Sequence, residues 1–225
     1  MTTLRFPRAV LFDLDGTLLD SAPDMLATIN RLRTEQGRAP MLLSDVRPHV
    51  SRGSRAMLAA GFPDLTQAQR DAMVQPFLDT YESLLGRHSA LFDGIAELLT
   101  RLEDDGVHWG IVTNKPEYLA RAVLPQLGWE TRCAVLIGGD TLAERKPHPL
   151  PLQVAAQRLD SPIDAAVYVG DDERDIQSAR AAGMRSIAAL WGYRSDDETP
   201  ATWGADVVAA QPIDLHDPAV WPRAR

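Results

Sequence analysis

Residues 8–21 read RAVLFDLDGTLLDS, Arg8 to Ser21, and the first half of that stretch decides the fold. Ala9, Val10, Leu11 and Phe12 are apolar in succession, the pattern of a strand buried on both faces. The run ends on Asp13, and Asp15 follows two residues on. Two carboxylates at the mouth of a buried strand repel each other, in a chain whose formal net charge is already -8. A cation must share their place.

Further apolar strands are expected at 109–112, 134–137, 166–169 and 186–190, with a weaker one at 206–208. Amphipathic helices separate most of them. One places Ile95, Leu98, Leu99 and Leu102 on a single face and closes at Gly106. Another opens at Pro116 and stops at Gly128, and a third runs from about 172 to 182 and ends at Gly183. Apolar strands joined by helices predict an α/β fold, a Rossmann-like parallel sheet covered on both faces.

Between the first strand and the helix near Asp93 the rhythm breaks. Ser21 is a candidate cap ahead of Pro23, with Leu26, Ile29 and Leu32 at helical spacing up to Gly37. Further helical material is expected over 44–60 and 66–85. The chain therefore divides into a core of residues 1–18 and 92–225 and a small all-helical cap of residues 19–91. The cap is inserted after the first strand, at the sheet edge where ligands of such folds bind.

The bulk numbers narrow the chemistry. A chain of 225 residues, 45% hydrophobic and 24% charged, can bury a substantial core. Its pI near 5.1 argues against nucleic acid and anionic membrane surfaces as partners. The sequence contains no apolar run long enough to cross a bilayer, and its first residues lack a signal-peptide core, so the cytoplasm is the expected compartment. The single cysteine, Cys133, excludes an intrachain disulfide and reads as a small core residue. Only Lys115 and Lys146 among the 23 basic residues are lysines. A lysine kept against so strong an arginine bias marks a place where a compact ammonium is needed.

In a parallel sheet the loops after the strands converge on one crevice. Asp13, Asp15, Gly16 and Thr17 follow the first strand, and Thr113, Asn114 and Lys115 the second. Lys146 follows the third at some distance, and Asp171, Asp172 and Asp175 follow the fourth. Acids without thiolates or imidazoles suit a hard, oxygen-seeking divalent ion, for which Mg2+ is the expectation. Each element alone has a plainer reading: a surface acid pair, a helix cap, a solvated lysine. A structural role alone gives no reason for all four to stand at successive strand ends.

The stretches DLDGTLLD, TNKP, RKPHP and GDDERD, in this order and across essentially the whole chain, resemble the haloacid dehalogenase superfamily of phosphatases. The helical insertion looks like the cap of its phosphoglycolate phosphatase branch. The resemblance implies that Asp13 is the nucleophile, forming an aspartyl-phosphate, and that Asp15 is the general acid and base. It implies Mg2+ held by the carboxylates of Asp13 and Asp171 and the main-chain carbonyl of Asp15. Thr113 and the amides around Gly16 and Asn114 would hold the phosphoryl oxygens, and Lys146 would neutralise their charge. Asp172 and Asp175 would orient the surrounding groups.

The implied partner is a small phosphorylated metabolite, bound by a monomer or a homodimer. Lys115 stands either at the substrate or at a helix start. In the cap, Arg52, Gly53, Ser54 and Arg55 are expected to face the site, with Arg52 or Arg55 meeting a substrate carboxylate in a bidentate fork. That would suit 2-phosphoglycolate and equally the lactyl carboxylate of N-acetylmuramic acid 6-phosphate. The cap and the segment 200–206 are similar to proteobacterial phosphatases of both kinds. A sugar-phosphate mutase of the same superfamily and a non-catalytic phosphate-binding regulatory protein are the alternatives.

Overall fold

Strand β1 (Ala9–Phe12) is completely enclosed, and its side chains alternate between two cores. Val10 and Phe12 join one hydrophobic cluster and Ala9 and Leu11 the other, on opposite faces of one sheet. The computed structural model describes residues 6–194 and 198–223. After β1 come β2 (Leu19–Asp20), α1 (Ala22–Glu35), α2 (Leu43–Val46), α3 (Gly53–Gly61), α4 (Gln67–Ala72), α5 (Val74–Leu84) and β3 (Ala90–Leu91). Then follow α6 (Ile95–Asp104), β4 (His108–Val112), α7 (Glu117–Leu127), β5 (Val135–Ile137) and α8 (Leu150–Arg158). The chain closes with β6 (Ala166–Gly170), α9 (Glu173–Ala182), β7 (Arg185–Ala189) and β8 (Val207–Ala209).

The large sheet has the order β5-β4-β1-β6-β7-β8, with every pairing parallel. β1 pairs with β4 on one side and β6 on the other, so the winding of the chain reverses at its carboxyl end. A crevice opens at such a reversal, and this one lies where Asp13 leaves the sheet.

The region expected to lack strands contains two short ones. Leu19 pairs with Leu91 and Asp20 with Ala90 in an antiparallel ribbon, and all five helices α1–α5 lie between its strands. Two residues per strand are too few for an alternation pattern to register.

The stretch 44–60 is not one helix. Pro48 and Gly53, with φ +77°, break it into α2, a 3-10 turn at Arg47–His49 and α3. The stretch 66–85 divides at Met73 into α4 and α5, because Pro76 in the first turn of α5 cannot donate a backbone bond. Ser21 precedes α1 without a side-chain capping bond. Helix α8 adds to the expected helices and opens on a proline-rich segment, with Pro149 before its first residue and Pro151 in its first turn.

Asp24 roots the helical segment. Its buried carboxylate accepts from Gly86 N at 2.7 Å, His88 N at 2.7 Å and Ser89 Oγ at 2.5 Å, tying the start of α1 to the segment that leads into β3. Cys133 is partly buried against the core, and burial pushes its thiol up to about 11.

Candidate active site

Asp13 sits one residue beyond β1, where its amide still bonds to the carbonyl of Val169 at 2.9 Å. The chain then turns back tightly: the amides of Thr17, Leu18 and Leu19 all reach the carbonyl of Leu14. Gly16 makes this possible with φ +85°, and a Cβ there would lie 2.2 Å from Asp171 Oδ2. The backbone of the first loop is thereby pressed against the carboxylate from β6.

Lys146 is the hub of the acidic cluster. Its Nζ lies 3.0 Å from Asp13 Oδ2 and 2.6 Å from Asp175 Oδ1, and donates to the Tyr168 hydroxyl at 2.7 Å. That hydroxyl donates onward to the Val112 carbonyl at 2.7 Å. Burial pulls the ammonium's pKa down, but the carboxylates of Asp13 and Asp175 more than offset it and leave it raised.

Asp171 is held from three directions. Thr17 Oγ1 donates to Oδ1 at 2.9 Å, while Tyr193 N at 2.9 Å and Ser51 Oγ at 3.1 Å donate to Oδ2. Ser51 brings the helical segment into direct contact with the core's acidic cluster. Asp172 caps α9 by accepting from Arg174 N, and its own amide donates to Asp175 Oδ2 at 3.1 Å.

One carboxylate oxygen each from Asp13, Asp171 and Asp175 lies within 4.8 Å of the others. Three buried acids share one buried lysine, so the cluster lacks positive charge. Burial first, then Asp13 and Asp175, holds Asp171 well above the usual carboxylate range. Burial drives Asp175 up to about 7 against the pull of Lys146, with Asp13 and Asp172 adding to the rise. An all-oxygen donor set short of about two positive charges fits a hard divalent cation such as Mg2+. Asp175 faces this centre together with Asp13 and Asp171.

Thr113 leaves β4 with its amide on the Ile137 carbonyl, and its Oγ1 accepts from Lys115 N. Asn114 turns its side chain to the Lys146 carbonyl at 2.9 Å, bracing the loop that carries the lysine. Lys115 is buried, and its Nζ donates to both carboxylate oxygens of Asp15 and to the Tyr81 hydroxyl.

A cavity of about 260 Å³ lies over these residues. Asp13, Asp15, Thr113, Asn114, Lys115, Lys146, Asp172 and Asp175 line its floor, and Arg52, Gly53, Ser54 and Arg55 its cap side. Arg52 Nη2 lies 2.7 Å from Glu198 Oε1, and Arg55 pairs with Asp71. Met25, Phe77, Leu78 and Leu119 supply an apolar wall.

Two wall residues were not singled out from sequence. Tyr81 carries no pattern beyond a core position on an amphipathic helix. Arg174 stands in plain view between Asp172 and Asp175, masked by the acids around it.

The profile of the haloacid dehalogenase-like hydrolases matches residues 10–189. The chain belongs to that family. It is 64% identical over 220 residues to a phosphoglycolate phosphatase of Xanthomonas campestris pv. campestris, spanning 98% of this chain and 100% of that one. It is 42% identical over 211 residues to an N-acetylmuramic acid 6-phosphate phosphatase of Pseudomonas aeruginosa, spanning 93% of each. Among solved structures, a predicted phosphoglycolate phosphatase of Haemophilus somnus superposes with a TM-score of 0.83 at 25% identity, covering 96% of this chain and 98% of that one. This haloacid dehalogenase-like protein is an enzyme, a phosphatase. None of the described helices is long and apolar enough to cross a membrane.

Proposed function

We propose that the protein hydrolyses a small phosphomonoester through an aspartyl-phosphate formed on Asp13, with residues 19–91 acting as a helical cap over the core of residues 1–18 and 92–225. The observation that carries this reading is the position of Asp13. It projects from the central strand into the cavity, with Lys146 Nζ 3.0 Å from Oδ2 and Asp15 two residues further along the same wall.

Asp13 attacks phosphorus in line, and Asp15 protonates the departing alkoxide. Asp15 then takes a proton from the water that cleaves the acyl phosphate. Lys146 faces the negative charge that spreads over the transferring group. Thr113, with the backbone around Gly16 and Asn114, holds the phosphoryl oxygens. Asp172 and Asp175 fix the start of α9 and the Lys146 ammonium. Asp13, Asp171 and the Asp15 carbonyl would hold Mg2+, with Asp175 beside them, and the ion would supply positive charge to the phosphoryl oxygens.

The named relatives act on 2-phosphoglycolate and on N-acetylmuramic acid 6-phosphate. Both are phosphomonoesters whose alcohol carries a carboxylate, and we take that as the substrate class. Phosphate release from each compound in Mg2+ buffer tests the reading. Turnover is expected to vanish with EDTA and in Asp13→Asn, and turnover surviving either treatment refutes the mechanism.

A further inference from the structure

Each substrate of that class presents two anionic ends, and the phosphoryl end is accounted for at Asp13. The carboxylate end needs a donor placed across the cavity. Arg52 and Arg55 are the candidates offered by sequence, but they lie in exposed ion pairs, with side chains 48% and 66% exposed. Such pairs are screened and hold their geometry weakly.

Arg174 is built differently. Its Nε donates to Asp172 Oδ1 at 2.7 Å and its Nη2 to Asp172 Oδ2 at 2.8 Å, so the guanidinium plane is clamped in a fork. Nη2 also donates to the Ser51 carbonyl at 2.7 Å. The group therefore bridges the first turn of α9 and the cap at the boundary between them, and it lines the cavity. No described group takes Nη1.

We infer that Arg174 is a specificity-determining residue whose Nη1 edge receives the carboxylate of the substrate's alcohol. The inference rests on the phosphatase reading above and names the residue that selects within its substrate class. Asp172 cancels the charge of Arg174, so selection comes from fixed hydrogen-bond direction rather than from net attraction. An arginine already ordered by two partners loses little freedom when a ligand arrives. Arg145, exposed on the same cavity and without a described partner, attracts any anion and does not discriminate among them.

The test pairs each acid with a neutral partner of similar shape: 2-phosphoglycolate with 2-hydroxyethyl phosphate, and N-acetylmuramic acid 6-phosphate with N-acetylglucosamine 6-phosphate. The unmodified enzyme is expected to prefer the acid in at least one pair by kcat/KM. Arg174→Met is expected to reduce that preference about 10- to 100-fold, mainly through KM.

In the Asp13→Asn background, calorimetric titration should show the preferred acid weakened by a similar factor. Inorganic phosphate should stay within about threefold. Arg174→Lys keeps the charge without the fork and is expected to lose most of the preference; it also serves if the Met variant does not fold.

Equal losses on acid and neutral compounds overturn the inference, as does no preference in the unmodified enzyme. So does a preference that collapses in Arg52→Ala or Arg145→Ala instead. Turnover surviving Asp13→Asn removes the phosphatase mechanism, whereas normal turnover with unchanged preference in Arg174→Met removes only this assignment.

Discussion

Lys115 Nζ lies 2.9 and 3.0 Å from the two carboxylate oxygens of Asp15 and 2.6 Å from the Tyr81 hydroxyl. Lys115 and Asp15 belong to the core and Tyr81 to helix α5 of the cap, so the orientation of the proposed general acid depends on a contact that spans both. Burial, then Asp15 and Asp24, raises the Tyr81 phenol well above its usual range, so it stays a neutral acceptor for the ammonium.

Lys115→Met should lower kcat about 100-fold on alkyl phosphates, because the acid is no longer aimed. The loss should be smaller on p-nitrophenyl phosphate, whose leaving group needs no proton. Tyr81→Phe removes one hydrogen bond and should cost about 3- to 10-fold. Steady-state kinetics on the two substrate types decides, and equal losses on both would show that Lys115 does not act through Asp15.

The acidic cluster predicts a pH-dependent response to metal. Asp171 and Asp175 have folded pKa values above their unfolded ones, Asp175 up to about 7. For Asp175 that contribution to stability is complete below the unfolded value of about 4 and is lost as pH rises through about 7, and the contribution of Asp171 is lost in the same direction as pH rises through its raised value. A divalent ion displaces those protons and removes the repulsion. Thermal melts with and without Mg2+ should therefore differ more near pH 8 than near pH 5.5. A larger shift at the lower pH would refute this account of the cluster.

Gly16→Ala and Gly37→Ala form a controlled pair. Both glycines have positive φ, +85° and +67°, so both variants carry left-handed strain of about 1–2 kcal/mol. Only at Gly16 does the new methyl meet the carboxylate of Asp171; at Gly37 nothing lies within 4 Å. Gly16→Ala should lose at least about 100-fold in kcat/KM, while Gly37→Ala should melt slightly earlier and keep its kinetics. Comparable kinetic losses in the two would mean that strain, not the Asp171 contact, is responsible.

Asp24→Ala should loosen the cap without touching the cavity floor. The substitution leaves the amides of Gly86 and His88 without their buried acceptor, at a cost of about 1–3 kcal/mol each. Urea unfolding should show the midpoint falling, and an unchanged midpoint would mean that water replaces the carboxylate fully.

The sequence makes the core's site readable because its parts are local. Asp13 and Asp15 follow β1 directly, Thr113 follows β4 and Asp171 follows β6, so finding the strands finds the loops. Strand ends were read to within a residue or two for the same reason. The cap was readable only as helical. Its breaks at Gly53 and Met73 depend on single residues inside otherwise amphipathic runs.

What could not be read is what crosses between the two parts. The Ser51 contact with Asp171, Tyr81 over Lys115 and the reach of Arg174 to the Ser51 carbonyl join residues 34 to 123 positions apart. Nothing in local composition encodes such meetings. Arg52 illustrates the limit: its position on the cavity rim follows from the loop, while its pairing with Glu198 does not.

The central position of β1 has a consequence for how the protein is made. Ala9 is paired with His108 and Ala166, so β1 leaves the ribosome before its two neighbours, which lie about a hundred or more residues downstream. At about 5–20 residues per second, that bare apolar edge persists for about 5 to 30 seconds in the nascent chain. The helices of residues 22–84 emerge during that interval, and their early collapse onto one another is what the growing polypeptide has to occupy it.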